Sequence, residues 1–283
     1  VSVIIETNSD QRLQLALAAW LTAHAHDPNG VEIITIAGQK CVVKRRIPKP
    51  MDGLIYALRF LRSFTLSLLC WLVWGQRPPT RTLLKNGLAE EARRLQLLHD
   101  AGCHVPKILH YEPGILVLEF VGEDLPHYLR TSDTAGRLLW MHRVALDLAS
   151  FHQAGFVHGG AQLRNVMYDE DRLTRIDFEE NIGEAMARPL GQAYDFYQML
   201  SSLAGMRADE ISPTERQALC NQLLREYLLH NPDVAVKQQL KNMAIAFVWL
   251  VRIFGALLRL IPGKDVQGFL YVTNTLGLTL TDE

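Results

Sequence analysis

The chain has 283 residues, with 29 Lys and Arg against 30 Asp and Glu and a formal charge of -1. That length buries a substantial core and excludes a disulfide-stapled miniature, while the balanced charge excludes a chain-wide nucleic-acid footprint, so no DNA partner is expected. At 48% hydrophobic and 21% charged residues, it also falls outside the disordered class.

Cys41, Cys70, Cys103 and Cys220 are far apart, with no Cys-x-x-Cys pair and no clustered histidines along the sequence. A zinc knuckle or disulfide framework is therefore not indicated, and a reducing compartment fits. The opening residues have neither the basic start nor the apolar run of a secretory signal, so a cytoplasmic location is expected.

Residues 31–36 and 39–44 flank Ala37-Gly38 and read as a β-hairpin whose second strand ends at Lys44. Residues 54–74 are rich in Leu, Phe and Trp but carry Arg59 and Arg62. A central arginine costs about 2.5–3.5 kcal/mol on insertion, so this is not a clean membrane span. The segment follows Arg45, Arg46 and Lys49 and closes with Trp71, Trp74, Arg77, Pro78 and Pro79. Two readings fit: a helix at an anionic membrane surface, through residues 45–81, or a helix packed on the domain itself. Between Lys40 and Arg94 there are twelve basic residues against Asp52, Glu90 and Glu91, which makes this third of the chain a basic surface candidate.

Residues 89–101 repeat apolar side chains at helical spacing, carry Glu90 and Glu91, and stop at Gly102 and Pro106. Residues 114–121 read as a buried strand, closed by Gly122-Glu123-Asp124, which caps a short helix over 125–129. A helix over 135–154 ends at Gly155. A loop over 158–165 follows, then a second hairpin with strands 166–168 and 173–176. From Pro189 onward the pattern is helical, and 244–261, interrupted by Arg252 and Arg259, reads as a buried C-terminal helix. Strands with one helix, then a mostly helical half, predict an α+β fold with a waist near Gly122.

Five signals in this order resemble the protein-kinase-like superfamily: Val42-Val43-Lys44, Glu90-Glu91-Ala92, Leu118-Glu119-Phe120-Val121, the run from His158 to Asn165, and Ile176-Asp177-Phe178-Glu179. Their spacing over roughly residues 31 to 205 is closest to its small branch, the bacterial lipopolysaccharide (Kdo or heptose) kinases, the RIO kinases and the kinase subunit of the KEOPS complex. The resemblance implies a bilobal fold. The small β-rich N-lobe with one helix would be residues 1–121, with a basic, apolar insertion at about 50–80, and the larger helical C-lobe 122–283.

ATP presents a dense negative charge, so a kinase fixes a lysine against the phosphates with an acidic partner. The resemblance gives these roles to Lys44 and Glu91, with Glu90 the adjacent alternative. Mg²⁺ takes hard oxygen ligands shared with the phosphates, and the residues in the matching places are Asn165 and Asp177. Backbone groups around Glu119 and Val121 would meet the adenine edge with Leu118 behind it, and Asp195 would brace the catalytic loop. Taken singly, each of these residues also fits an ordinary surface, turn or core role.

Three departures stand out. Kinase catalytic loops read His-x-Asp, but here His158 is followed by Gly159 and Gly160, so Gly160 occupies the place of the proton-accepting Asp. That role is lost, supplied by Glu179 or Glu180, or unnecessary. Glu179 follows Phe178 where a glycine is usual, adding a carboxylate that would serve as base or hold a second Mg²⁺. No Gly-x-Gly-x-x-Gly loop precedes Lys44. General-base help contributes about 10²–10⁴-fold, so its loss alone need not abolish phosphoryl transfer. The expected activity is ATP- and Mg²⁺-dependent phosphorylation of a sugar or lipid-linked hydroxyl, such as lipopolysaccharide core, at the cytoplasmic membrane face. A nucleotide-binding pseudokinase acting as a regulatory or scaffolding module is the alternative, and transfer of another nucleotide-derived group such as AMP a third reading.

Overall fold

The computed structural model describes residues 2–46, 52–84, 86–207, 209–260 and 264–280. Lys49 of the basic flank lies outside them.

Helix α1 (Ser2–Ala23) leads into β1 (Gly30–Ile36) and β2 (Gln39–Arg45). Ala37 and Gly38 between the strands both have positive φ, 50° and 84°, the two-residue turn whose twist matches that of the strands. It sets the register from Ile36 opposite Gln39 to Val31 opposite Lys44. Helices α2 (Asp52–Trp74), α3 (Thr80–Leu83) and α4 (Leu88–Asp100) come next, followed by β3 (Ile108–Glu112) and β4 (Ile115–Glu119). The four strands form an antiparallel sheet in the order β1-β2-β4-β3.

Alternation along β4 sends its side chains to two different helices. Leu116 and Leu118 face Leu88, Ala92, Leu95 and Leu98 of α4. Ile115 and Val117 join Ile36, Cys41 and Val43 against Leu13, Leu17 and Leu21 of α1. The small lobe thus has a helix on each face, where the sequence predicted only one, and a strand, β3, that it did not predict. The apolar stripe of α1 is three leucines at a spacing of four in an alanine-rich, polar run, a weak signal until the sheet is there to receive it.

Although it lies within the first 121 residues, α2 packs on the later half of the chain. Leu66, Cys70 and Trp74 meet Ile182, Met186, Leu190 and Tyr194, with Ser63 and Ser67 buried on the same face. Its opposite face leaves Leu61, Phe64, Leu68, Trp71 and Leu72 exposed. Packing on the domain and an outward apolar surface are therefore properties of two faces of one helix. They divide the two tryptophans: Trp71 is 52% exposed, while Trp74 is packed and donates its Nε1 to the Gln239 carbonyl at 3.4 Å.

At the expected waist the backbone is sterically constrained. Gly122 has φ +94°, and a Cβ there would lie 2.2 Å from the Tyr168 carbonyl oxygen, so only glycine lets the chain pass. Beyond it, β5 (Glu123–Asp124), β6 (Val166–Asp169) and β7 (Arg172–Arg175) form a small antiparallel sheet. Asp124 caps α5 (Leu125–Thr131) and Asp133 caps α6 (Thr134–Gln153), each carboxylate accepting a first-turn amide. Helices α7 (Ile182–Ala185), α8 (Arg188–Ala204), α9 (Pro213–His230), α10 (Val234–Leu260) and α11 (Lys264–Leu280) complete the lobe. Its core interleaves Met141, Leu148, Phe196, Leu200, Leu223, Tyr227, Leu240 and Leu276, all essentially inaccessible to solvent.

The C-terminal apolar stretch is not the fully buried helix the sequence predicted. Leu240, Met243 and Ala244 of α10 are buried, whereas Ile245, Trp249, Leu250, Ile253 and Phe254 are exposed. The helix lies over the bundle with a single inward stripe. Among the described residues, no helix is long and apolar enough to cross a membrane.

Candidate functional site

Strand β2 delivers Lys44 to the cleft side of the sheet, and α4 presents Glu91 from its first turn. Lys44 Nζ donates to Glu91 Oε1 at 2.6 Å and lies 3.5 Å from Asp177 Oδ1. The Glu91 side chain is wholly buried, that of Lys44 is 11% exposed and that of Asp177 37% exposed. Burial works against the ammonium, but the negative charges of Glu91 and Asp177 prevail and hold Lys44 above the usual lysine range. Glu90, one residue away, accepts from Arg93 at 2.5 Å, so of the two neighbouring glutamates it is Glu91 that meets Lys44.

Asp177 sits just past β7 with φ +67°. A left-handed backbone on a non-glycine residue is uncommon and strained, and it is retained where the surroundings enforce it. Here the enforcement comes from Phe178, which is fully buried among Leu95, Leu116, Leu118 and Phe151 and stacks on His158 with ring centroids 4.2 Å apart. Phe178 goes into the core, and the carboxylate before it is left at the rim.

The segment from His158 to Asn165 is held from beneath by Asp195 of α8. Its buried carboxylate accepts the amides of His158 (2.5 Å) and Gly159 (2.7 Å) and faces His152 Nε2 at 3.3 Å. Burial opposes the charge, yet these partners hold the carboxyl below the usual range. His158 is sealed in: its Nε2 donates to the Ile176 carbonyl at 3.0 Å and its Nδ1 accepts the Gly160 amide at 3.1 Å. Burial lowers its pKa to about 3, so the ring is neutral. This differs from a role at the reacting atoms: His158 is a post under the loop. Asn165 Nδ2 donates to the Gly160 carbonyl at 2.8 Å, and Asn165 lines the same cavity as Asp177 and Gly160.

The two loop glycines differ. A Cβ on Gly159 would meet the Glu180 carbonyl at 2.7 Å, and its φ is +87°, so that position admits only glycine. A Cβ on Gly160 would meet nothing closer than 3.7 Å, ordinary contact, and its backbone is unstrained. A side chain at position 160 is therefore not excluded by space.

Glu179 is joined to Arg46 at 2.6 Å, so the acid proposed as a replacement base already has a cationic partner. Carboxylate oxygens of Glu91, Asp177 and Glu179 lie within 4.8 Å of one another. In front of them is a cavity of about 570 Å³, bounded by Gly160, Gln162 and Arg164 of the loop and by Tyr197, Gln198 and Ser201 of α8. At the waist, Leu118 is 3% exposed behind the cleft, while Glu119 and Val121 border a separate hollow of about 220 Å³. The Glu119 amide is committed to the Lys107 carbonyl at 3.0 Å and so is not offered to a ligand.

One residue given no role from the sequence organises all of this. Arg94, one turn after Glu91, is 9% exposed. It donates to the carbonyls of His158 (2.9 Å), Val157 (2.7 Å), Phe178 (3.4 Å) and Glu180. The signal available was its i+3 position on the Glu91 face of the helix, but nothing local says that four carbonyls await it. Arg46 was likewise read only as part of a basic run.

Residues 76–188 match the RIO domain family. An uncharacterised protein of Haemophilus influenzae is 28% identical over 111 residues, 38% of this chain and 43% of that protein. A probable bifunctional tRNA threonylcarbamoyladenosine biosynthesis protein of Haloquadratum walsbyi is 34% identical over 132 residues, 46% of this chain and 22% of that one. The serine/threonine-protein kinase RIO1 of Chaetomium thermophilum is 23% identical over 116 residues, 36% and 22% of the respective chains. The matches thus span less than half the length of each of these relatives.

Proposed function

We propose that this chain, a member of the protein-kinase-like superfamily, is an ATP- and Mg²⁺-dependent phosphotransferase acting on a hydroxyl of a sugar or lipid-linked acceptor. The observation that carries the reading is the convergence of Lys44, Glu91 and Asp177, from three distant segments, on one cleft. Surface residues would not leave a glutamate wholly buried beside a lysine. In this reading Lys44, fixed by Glu91, neutralises the phosphates of the nucleotide, and Leu118 closes the back of the adenine pocket.

The donor chemistry fits Mg²⁺: the half-buried Asp177 carboxylate and the Asn165 amide border one cavity, with Glu179 adjacent. Asp177 and Asn165 would hold the ion, which when bound supplies charge neutralisation of the transferring phosphoryl group. The cavity beyond Gly160 takes the acceptor. Gln162, Arg164, Tyr197, Gln198 and Ser201 give it donors and acceptors suited to a polyhydroxylated molecule. Asn165 and Asp195 keep the loop rigid, so positioning and electrostatics carry the rate without a His-x-Asp carboxylate.

The outward face of α2, with Leu61, Leu68, Trp71 and Leu72 exposed and exposed Arg77 and Arg81 beyond its end, is suited to an anionic membrane surface where a lipid-linked acceptor resides. The second reading, a nucleotide-binding pseudokinase, is favoured by Gly160 alone. Mg·ATP turnover by the purified chain, with and without lipid extract and beside Asp177→Ala, separates the two. Turnover that needs Asp177 supports the transferase. Nucleotide binding without turnover on any acceptor overturns it in favour of the scaffold.

A further inference from the structure

Two groups of His, Cys, Asp and Glu among the described residues bring three ligand atoms within 4.8 Å of one another. One is the carboxylate cluster of the cleft. The other is His142 of α6 with Glu226 and His230 of α9, which shares no residue with the cleft cluster and borders none of the cavities above. We propose that His142, Glu226 and His230 form a binding site for a divalent transition-metal ion, Zn²⁺ foremost, that staples α6 to α9.

The geometry is that of a three-ligand site. Glu226 Oε2 is 2.8 Å from His142 Nδ1 and 3.6 Å from His230 Nε2. A tetrahedral ion about 2.0–2.1 Å from each ligand sets its ligands about 3.3 Å apart, and the two observed separations bracket that value. The imidazoles are inclined at 69° with centroids 5.4 Å apart, so both can converge on one point. Glu226 and His230 are four residues apart on one helix and share a face.

An ordinary ion pair accounts for half of this. The carboxylate accepts from His142, but His230 Nε2 is shut off from solvent and makes no hydrogen bond. A buried ring nitrogen without a partner is unfavourable, and a shared cation would satisfy it. The carboxylate is also preset from behind. Gln222 Nε2 donates to Glu226 Oε1 at 2.6 Å, leaving Oε2 to the two rings, the outer-shell arrangement that orients metal ligands.

The scaffold is rigid. Tyr227, beside Glu226, stacks on Phe196 at 4.3 Å and bonds His152 and Asn231. Met141, beside His142, is fully buried. Two nitrogens and one oxygen select Zn²⁺ or a neighbouring first-row ion over Mg²⁺ and Ca²⁺, which prefer all-oxygen shells. Three protein ligands leave one position for water.

The test uses the full chain freed of metal with a chelator and held in excess Mg²⁺, titrated with ZnCl₂ by calorimetry and with CoCl₂ by visible absorption. One equivalent of Zn²⁺ should bind, and Co²⁺ should give the intense bands of a low-coordinate site. The melting temperature should rise by about 5 °C at a hundredfold excess over Kd. His142→Ala and His230→Ala should each lose that equivalent, the bands and the melting shift. Asp177→Asn should keep all three, which separates the site from the cleft. Should His230→Ala melt early even without metal, His142→Ala, whose ring is the most exposed, decides. Absence of a Zn²⁺ equivalent, its persistence in His142→Ala, or its loss only in Asp177→Asn would each overturn the site.

Discussion

Arg94 donates to the His158 carbonyl at 2.9 Å, tying the helix that carries Glu91 to the loop that carries Gly160. Because the same guanidinium reaches Val157, Phe178 and Glu180, the small lobe and the loop are aligned by one buried side chain. Arg94→Met keeps the bulk but strands these carbonyls, at about 1–3 kcal/mol for each one left without a partner. The expected result is a stability loss of at least about 3 kcal/mol in urea unfolding. Arg94→Lys, with one compact donor group, should recover only part of it.

Lys44 and Glu91 should show strong coupling. Lys44→Met leaves a wholly buried carboxylate beside a methionine, which should cost about 3–5 kcal/mol. The double variant Lys44→Met, Glu91→Leu should be markedly more stable than Lys44→Met alone while remaining unable to bind Mg·ATP. A double-mutant cycle by chemical denaturation, with nucleotide binding measured in parallel, checks both parts. Additive losses would mean that the pair is not the buried unit seen here.

Gly160→Asp is sterically allowed, since a Cβ there meets only ordinary contacts. If the cleft transfers phosphate, the added carboxylate should raise kcat about 10²-fold or more with little change in KM for ATP. A variant that binds nucleotide and still shows no turnover would favour the scaffold reading.

Acid should destabilise the fold early. His158 has a folded pKa of about 3 because it is fully buried, facing Arg94 and Arg175 as well as Asp195, whereas the unfolded side chain titrates near 6.5. Below about pH 6.5 the unfolded chain takes up a proton that the folded chain refuses. Stability therefore falls on the order of 1.4 kcal/mol per pH unit until the folded pKa is reached. His152, also lowered by burial, adds to this in the same direction. Urea midpoints between pH 7.5 and 5 should show the slope, and His158→Gln should reduce it to the part that His152 contributes.

The two tryptophans of α2 should separate membrane contact from packing. Trp71→Ser with Leu72→Ser removes exposed apolar area and should weaken sedimentation with anionic vesicles, leaving the melting temperature nearly unchanged. Trp74→Ser should instead lower the melting temperature, because that ring packs against Leu190 and Tyr194. Binding of the first variant equal to that of the parent would exclude the α2 face.

The sequence alone established the α+β order of elements, the hairpin whose second strand carries Lys44, the helix carrying Glu91 and the glycines at positions 122 and 160. These are local matters: strand alternation, helical spacing, turn chemistry and the absence of a side chain are all written in neighbouring residues. Only the tertiary structure decided which of Glu90 and Glu91 meets Lys44, that Arg46 holds Glu179, and that His158 is a buried post. The same holds for Arg94 bridging four carbonyls and for His142 meeting Glu226 and His230. Each depends on where a polar side chain ends after the intervening chain has folded, from 18 residues along the sequence for His158 and Ile176 to 133 for Arg46 and Glu179, and its partner is chosen by burial and charge in three dimensions, which no local pattern records.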